Sequence, residues 1–157
     1  MADRDALYVA ALLRDIGILG IDRRILDAEG KLSDEQRETV RQHPALGAAI
    51  LAALPFLRDA SRVVLAHHER WDGDGYPDHA AGEAIPLGGR ILAVADAYLA
   101  MTSDRSWRRA LRPSEALGII VEERGKAYDP TVVDAFLHLA GTGRLGLVDQ
   151  TIALQTR

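Results

Sequence analysis

The sequence contains no cysteine and no long apolar run, and each absence excludes several kinds of protein. Without cysteine the chain can form no disulfide, no zinc finger, no iron–sulfur cluster and no thiol nucleophile. No apolar run approaches the roughly 20 residues that a membrane-spanning helix needs, and no signal peptide opens the chain. We therefore expect no membrane span and, by exclusion, a cytoplasmic location.

A basic surplus is also missing. Lys and Arg together number 19 and Asp and Glu number 23, so the net charge is −4. Proteins that bind nucleic acid usually carry a basic surplus or a basic face, so we expect no nucleic acid duplex among the partners of this chain. Apolar material is plentiful, since 48% of the 157 residues are hydrophobic. This is enough for the core of one domain.

Apolar residues recur with the period of a helix along most of the chain, which predicts an all-α fold, a single-domain helical bundle. Ser33 and Gln36 match a capping box and should start one helix. This helix should end near Gln42, because Pro44 disfavours helical geometry at His43. Pro44 is then expected as the first residue of the next helix. The other helices are predicted at residues 5–15, 58–69, around 91–98 and from Asp129 and Pro130 to Leu139, with loops around 17–25 and at 70–86.

Five polar side chains interrupt the apolar pattern: Asp15, His43, His67, His68 and Asp96. An unpaired carboxylate among the apolar neighbours of Asp96 would cost roughly several kcal/mol of desolvation, so it needs a partner. Carboxylates and imidazoles at the edge of the core on separate helices are the components of a metal centre built inside a bundle. Mixed nitrogen and oxygen ligands suit iron, manganese or zinc better than magnesium or calcium.

Each of these residues also has a plainer interpretation when taken alone. His43 could be a helix cap or a surface residue, and either carboxylate could serve in a cap or an ion pair. The two adjacent histidines could be a solvated pair at a helix end. The loop 72–77 could be a turn with glycine at positive φ. The arginines Arg105, Arg108 and Arg109 could be a solvated helix end.

Several longer motifs follow one another in a fixed order. Residues 67–77 read H-H-E-R-W-D-G-D-G-Y-P, and residues 12–21 read L-L-R-D-I-G-I-L-G-I. The set is completed by His43-Pro44 and by the segments 85–87, 90–98 and 101–105. With these motifs, the chain from about residue 8 to residue 139 resembles the HD-GYP family, the cyclic di-GMP phosphodiesterase branch of the HD hydrolases.

The resemblance implies an HD-GYP-like domain over residues 1–140, followed by a C-terminal tail at 141–157. It also implies a metal-dependent phosphodiesterase that acts on cyclic di-GMP. Tyr76 would line the guanine pocket or its mouth, and Arg105 and Arg108 would hold phosphate. The metal ligands would be Asp15, His43, His67, His68 and Asp96, with Asp15 as the bridge between two ions.

One of the two metal positions implied by the resemblance is altered in this chain. The family places a histidine directly before the aspartate, and here that residue is Arg14. Another histidine comes in the family from an upstream helix, which we expect to be absent or truncated, since none of the thirteen residues before Arg14 is histidine. The family's lysine three positions after Asp15 is Ile18. We therefore predict one bound ion, iron or manganese or else zinc. Arg14 should pair with Asp96 or Asp15 and is a candidate catalytic substitute for the missing cation.

These departures predict a phosphodiesterase domain whose activity is weak or absent. If it is active, it should convert cyclic di-GMP toward pGpG. The alternative is a non-catalytic module that binds cyclic di-GMP or docks a protein partner through the Gly-Tyr-Pro loop, with Trp71 and Tyr76 as exposed aromatic anchors. A third interpretation is a structural remnant that binds neither. The residues of the Gly-Tyr-Pro loop are Trp71, Asp72, Gly73, Gly75, Tyr76 and Pro77.

Overall fold

The computed structural model describes residues 3–28, 30–104 and 108–143. The regular secondary structure within these ranges consists of helices, with no extended strand. This confirms the predicted all-α fold. None of the described helices is long and apolar enough to cross a membrane. The helices are α1 Asp3–Leu13, α2 Arg23–Leu26, α3 Asp34–Val40, α4 His43–Ala52, α5 Arg58–Leu65, α6 Leu87–Thr102, α7 Pro113–Glu122 and α8 Pro130–Gly141, with short 3₁₀ turns at Ile16–Gly20, Pro55–Leu57 and Gly82–Ala84.

The predicted capping box starts α3. The Ser33 hydroxyl accepts a hydrogen bond from the Gln36 amide at 3.2 Å, and the Gln36 side chain accepts one from the Ser33 amide at 2.9 Å. The two bonds satisfy two of the amide groups that a helix leaves without a partner at its start. The helix ends at Val40, two residues before the predicted end at Gln42.

Helix α4 begins one residue earlier than predicted, because His43 is already helical and Pro44 takes the second position. The preference of a residue before proline for extended geometry is modest, and here a side-chain contact opposes it. The His43 ring donates from Nδ1 to the Val40 carbonyl at 2.9 Å, which favours the turn that brings His43 into the helix.

Three further differences from the predicted helices are local. Helix α5 ends at Leu65, well before the predicted 69, since the chain tightens into turns at Ala66. The one-turn helix α2 lies where a loop was predicted, and Asp22 caps it by accepting from the Arg24 amide at 2.9 Å. Helix α7 lies in a segment for which no element was predicted. The predicted cap at Asp129 is confirmed.

The chain divides into two compact units, Met1–Ala93 and Val94–Arg157. In the first unit, Gly17 lies so close to α4 that a Cβ built on it would come within 2.0 Å of the His43 carbonyl oxygen. Only glycine permits this approach, which ties the start of α4 to the 3₁₀ turn after α1. The buried core of the first unit comprises Ala10, Leu51, Ala60, Val63, Val64 and Leu92.

In the second unit, Tyr98 and Phe136 pack edge to face with ring centres 5.2 Å apart. Ala116, Ile120 and Val133 are fully buried there. The predicted division at residue 140 into a domain and a tail stays a prediction, since residues 144–157 lie outside the described ranges.

Candidate metal centre

Three imidazoles meet in the first unit. His43 comes from the start of α4, and His67 and His68 come from the turn that follows α5. Each offers a ring nitrogen, and these nitrogens lie within 4.8 Å of one another. The side chains of His43 and His67 are buried, with 5% and 1% of their surface exposed, and His68 is half-buried. The sequence motif therefore brings three metal-ligand side chains to one point in the fold.

Backbone carbonyls fix the orientation of two of the rings. His43 Nδ1 lies 2.9 Å from the Val40 carbonyl, and His67 Nδ1 lies 2.6 Å from the Val64 carbonyl. Because a carbonyl can only accept, each Nδ1 carries a proton, which leaves Nε2 as the nitrogen that can offer a lone pair. This arrangement, with one nitrogen anchored and the other free to ligate, is typical of metal-binding histidines.

The lone pairs of the cluster converge. His43 Nε2 lies 3.3 Å from His67 Nε2 and 3.6 Å from Asp15 Oδ1. Such a convergence of acceptor atoms is repulsive unless a cation or a proton lies among them. Two nitrogens bound tetrahedrally to one zinc ion, each at about 2.0–2.1 Å, are themselves about 3.3 Å apart. The spacing and the donor set thus fit a divalent transition metal.

His68 is held in its neutral form. The pKa of His68 is lowered to about 3, mainly by burial and in addition by the neighbouring His67, His43 and Arg14. A neutral imidazole is the form that ligates a metal. Tyr76 stacks on the same ring, with ring centres 4.9 Å apart and an interplanar angle of 23°. The tyrosine thus covers one face of a candidate ligand.

Asp15 lies beside the three imidazoles and divides its two oxygens between two cations or cation sites. Its Oδ1 faces His43, and its Oδ2 lies 3.3 Å from Arg14 Nη2. The ion pair predicted between Arg14 and Asp15 is therefore confirmed. Arg14 Nη1 also donates to the Ala11 carbonyl at 3.1 Å, in the last turn of α1. The guanidinium is thus held between Asp15 Oδ2 and the Ala11 carbonyl.

The other candidate ligand, Asp96, lies half-buried on α6 in the second unit, and its role as a ligand stays a prediction. Arg108 has a structural task in that unit. Its guanidinium donates to the Ala100 carbonyl at 2.6 Å and to the Met101 carbonyl at 3.0 Å, which caps the end of α6. A phosphate contact by Arg108 stays a prediction, and Arg105 lies outside the described residues.

Glu69 organises the Gly-Tyr-Pro loop, although no sequence signal beyond its place in the motif singles it out. It is 4% exposed, and its two oxygens accept from the amides of Asp78 at 2.7 Å and Ala80 at 3.1 Å. At Gly75 a Cβ would come within 2.3 Å of the Arg70 nitrogen, so glycine is required. The loop is therefore folded back onto the segment that carries the histidines.

The prediction of exposed aromatic anchors on this loop is wrong. Trp71 and Tyr76 are both half-buried. The Arg90 guanidinium lies 5.8 Å from the centre of the Trp71 ring, and Tyr76 is occupied by its stacking on His68. The cause is the back-folding of the loop, which turns its aromatic rings toward the protein.

The outer part of the loop is polar and tightly turned. Asp72 forms a two-bond ion pair with Arg70, at 3.0 and 2.6 Å. Gly73 has a φ of +87°, which confirms the turn with glycine at positive φ. Pro77 is half-buried.

Comparison with known proteins identifies the family. The family model described as "HD domain" matches residues 2–132. A cyclic di-GMP phosphodiesterase of Vibrio cholerae is 44% identical over 140 residues, 85% of this chain and 28% of that protein. A 3′3′-cGAMP-specific phosphodiesterase of the same organism is 41% identical over 129 residues, 82% of this chain and 28% of that protein. The chain thus spans less than a third of the length of these two relatives.

A solved structure supports the fold. The crystal structure of a cyclic GMP-AMP-specific phosphodiesterase from Vibrio cholerae matches with a TM-score of 0.69 and 22% identity, over 96% of this chain and 42% of that one. At this identity the match shows the fold alone. Together with the family match and the two relatives, it shows that the chain belongs to the HD domain family, in its HD-GYP branch.

Proposed function

We propose that this chain is an HD-GYP domain that binds one divalent metal ion and cyclic di-GMP, and that hydrolyses the nucleotide slowly or not at all. The observation that carries the proposal is the pairing of Asp15 with Arg14 beside three converging imidazoles. The ligands of the ion are His43, His67, His68 and Asp15. Asp96 is retained as a further ligand on the strength of the family resemblance.

The mixed set of three imidazoles and a carboxylate suits iron, manganese or zinc. A bound ion would polarise a phosphoryl oxygen and lower the pKa of a water molecule at the site. The protein's own residues prepare the site for this. His43 and His67 have their rings fixed by backbone carbonyls, and Tyr76 stacks on one face of His68.

Arg14 is the reason for expecting little hydrolysis. A guanidinium has donors only, so Arg14 can neither ligate an ion nor take a proton from water. It also occupies Asp15 Oδ2, the oxygen that would have to bridge to a second ion. Hydrolases with two ions use both to stabilise the attacking and leaving oxygens, so a single ion leaves this stabilisation incomplete.

Cyclic di-GMP is the proposed ligand because a relative named for that activity is 44% identical over most of this chain. Tyr76, which stacks on His68, would line the pocket for a guanine base, as the family resemblance implies. Hydrolysis of one 3′,5′ linkage would yield pGpG. Another relative is named for 3′3′-cGAMP, so this nucleotide is the appropriate comparison in any binding experiment.

The alternative function is binding of cyclic di-GMP without any hydrolysis. Such a module would keep the imidazole cluster for binding, and Arg14 would prevent the second ion that hydrolysis needs. Docking of a protein through the Gly-Tyr-Pro loop is less favoured, because Trp71 and Tyr76 are half-buried and in contact with other side chains.

The test uses protein loaded anaerobically with iron or manganese, with nucleotide binding followed by calorimetry and turnover by product analysis. We expect cyclic di-GMP to bind, with little or no pGpG released. His67→Ala should abolish binding of the ion, and the exposed His138→Ala should leave it intact. Rapid turnover would contradict the incomplete site, and failure of the loaded protein to bind either nucleotide would overturn the proposal.

A further inference from the structure

Arg41 lies next to the candidate metal centre, although neither its sequence context nor the family motifs single it out. It follows directly on Val40, the last residue of α3, and it is exposed. Its guanidinium carbon lies 5.3 Å from the centre of the Tyr76 ring. An arginine at this distance over an aromatic face makes a cation–π contact.

Tyr76 connects Arg41 with the imidazole cluster. The tyrosine ring stacks on His68 with a small interplanar angle, so His68 takes one of its two faces. Arg41 contacts the same ring. His68, Tyr76 and Arg41 therefore form a column of contacts that begins at a candidate metal ligand and ends in an exposed cation.

The ionic contact of Arg41 is a weak one. Its Nη1 lies 3.6 Å from Glu38 Oε2, and 57% of the Arg41 side chain and 71% of the Glu38 side chain are exposed. Exposed pairs of this kind contribute little, so the pair does not compete strongly with another anion. The charge of a guanidinium is permanent, and its planar fork of N–H donors matches the oxygens of a phosphate. Arg41 is therefore an exposed cation that is suited to receive an oxyanion.

We propose that Arg41 binds a phosphate group of the ligand whose other phosphate is held at the metal centre. The inference rests on the proposed function and deepens it, because a cyclic dinucleotide carries two phosphates. One would lie at the imidazole cluster and the other at the end of the column. Hydrogen bonds between a guanidinium and a phosphate are charge-assisted and among the stronger ones in proteins. Arg41 would thus select ligands with two phosphates.

The experiment measures the affinity of metal-loaded protein for cyclic di-GMP and for 3′3′-cGAMP, which also carries two phosphates, in three variants. Arg41→Gln removes the charge, and Arg41→Lys keeps the charge but loses the planar fork. Arg37→Gln is the matched control, since Arg37 lies one turn earlier on α3 and pairs with Asp34. We expect Arg41→Gln to weaken both ligands by roughly ten- to hundredfold, Arg41→Lys to weaken them less, and Arg37→Gln to change them less than about twofold.

Two further readouts separate ligand binding from a structural role. The metal content and the thermal midpoint of Arg41→Gln should equal those of the wild type, and the salt dependence of its ligand affinity should be smaller. Affinity of Arg41→Gln within about twofold of the wild type for both ligands overturns the proposal. If cyclic di-GMP does not bind but 3′3′-cGAMP does, and Arg41→Gln weakens it, only the proposed function fails. Binding of neither ligand to the wild type contradicts both.

Discussion

At the scale of single residues, the candidate site depends on which side chains have lone pairs to offer. The three imidazoles offer one each, and the oxygens of Asp15 offer more. An arginine offers none. Arg14 stands where the family has a histidine, so a ligand is replaced by a charge that repels metal ions. The ion pair between Arg14 and Asp15 compensates that charge at the same position. The site is therefore asymmetric around Asp15, with imidazoles on one side and a guanidinium on the other.

Protonation of His68 should make the metal-free protein less stable in acid. The pKa of His68 is lowered by burial and by the neighbouring His67, His43 and Arg14 to about 3 in the folded state, against 6.5 for the free side chain. Below pH 6.5 the unfolded chain therefore binds a proton at this position, and the folded protein does not until about pH 3. The unfolding free energy should accordingly fall as the pH is lowered through this window.

Urea unfolding at about pH 7.5 and about pH 5, in the presence of a chelator, measures this difference. We expect the loss of unfolding free energy between the two values to be smaller in His68→Gln than in the wild type. The exposed His138→Gln should behave as the wild type does. An identical loss in His68→Gln and wild type would refute the role of His68.

The residues of the site were predictable to the extent that sequence motifs carry them. The double histidine, His43 and the pairing of Arg14 with Asp15 follow from motif order and from charge. Glu69 and Arg41 do not, because their importance lies in which distant groups they contact. A glutamate that accepts from amides nine and eleven residues later leaves no local pattern.

At the scale of elements, the candidate ligands lie at helix boundaries. His43 is the first residue of α4, and His67 and His68 follow the end of α5. Their positions within the helices were predicted less well than the helices themselves. The start of α4 at His43 and the end of α5 at Leu65 depend on side-chain and backbone hydrogen bonds. A periodic pattern of apolar residues does not reveal such bonds. The capping box of α3, a purely local signal, was predicted correctly.

Glu69→Gln should loosen the Gly-Tyr-Pro loop. The carboxylate accepts from two backbone amides, and a glutamine would oppose one of these amides with its own NH₂ group. One buried donor would then lack an acceptor, which costs about 1–3 kcal/mol of unfolding free energy. Denaturant unfolding measures the cost, and hydrogen exchange at Asp78 and Ala80 should become faster.

The matched control is Glu83→Gln, an exposed position near the end of the same loop. This change should alter the unfolding free energy by less than about 0.5 kcal/mol. Equal stability and equal exchange rates in Glu69→Gln and wild type would show that the carboxylate does not hold the loop.

At the scale of the whole molecule, composition and periodicity were sufficient for the all-α class, and ordered motifs were sufficient for the HD-GYP branch. They were insufficient for α7, for the division into two compact units and for the back-folding of the aromatic residues. These features depend on packing between segments far apart in the chain. The exposure of Trp71 was mispredicted for that reason, since a loop rich in Gly and Asp is usually directed outward.

The central claim is that the chain holds one metal ion, and elemental analysis of protein reconstituted with iron, manganese or zinc tests it most directly. We expect one ion per chain in the wild type and none in His67→Ala. Two ions per chain in the wild type would show that Arg14 does not prevent occupation of the second position. No ion in the well-folded wild type would show that the three imidazoles do not form a metal centre at all.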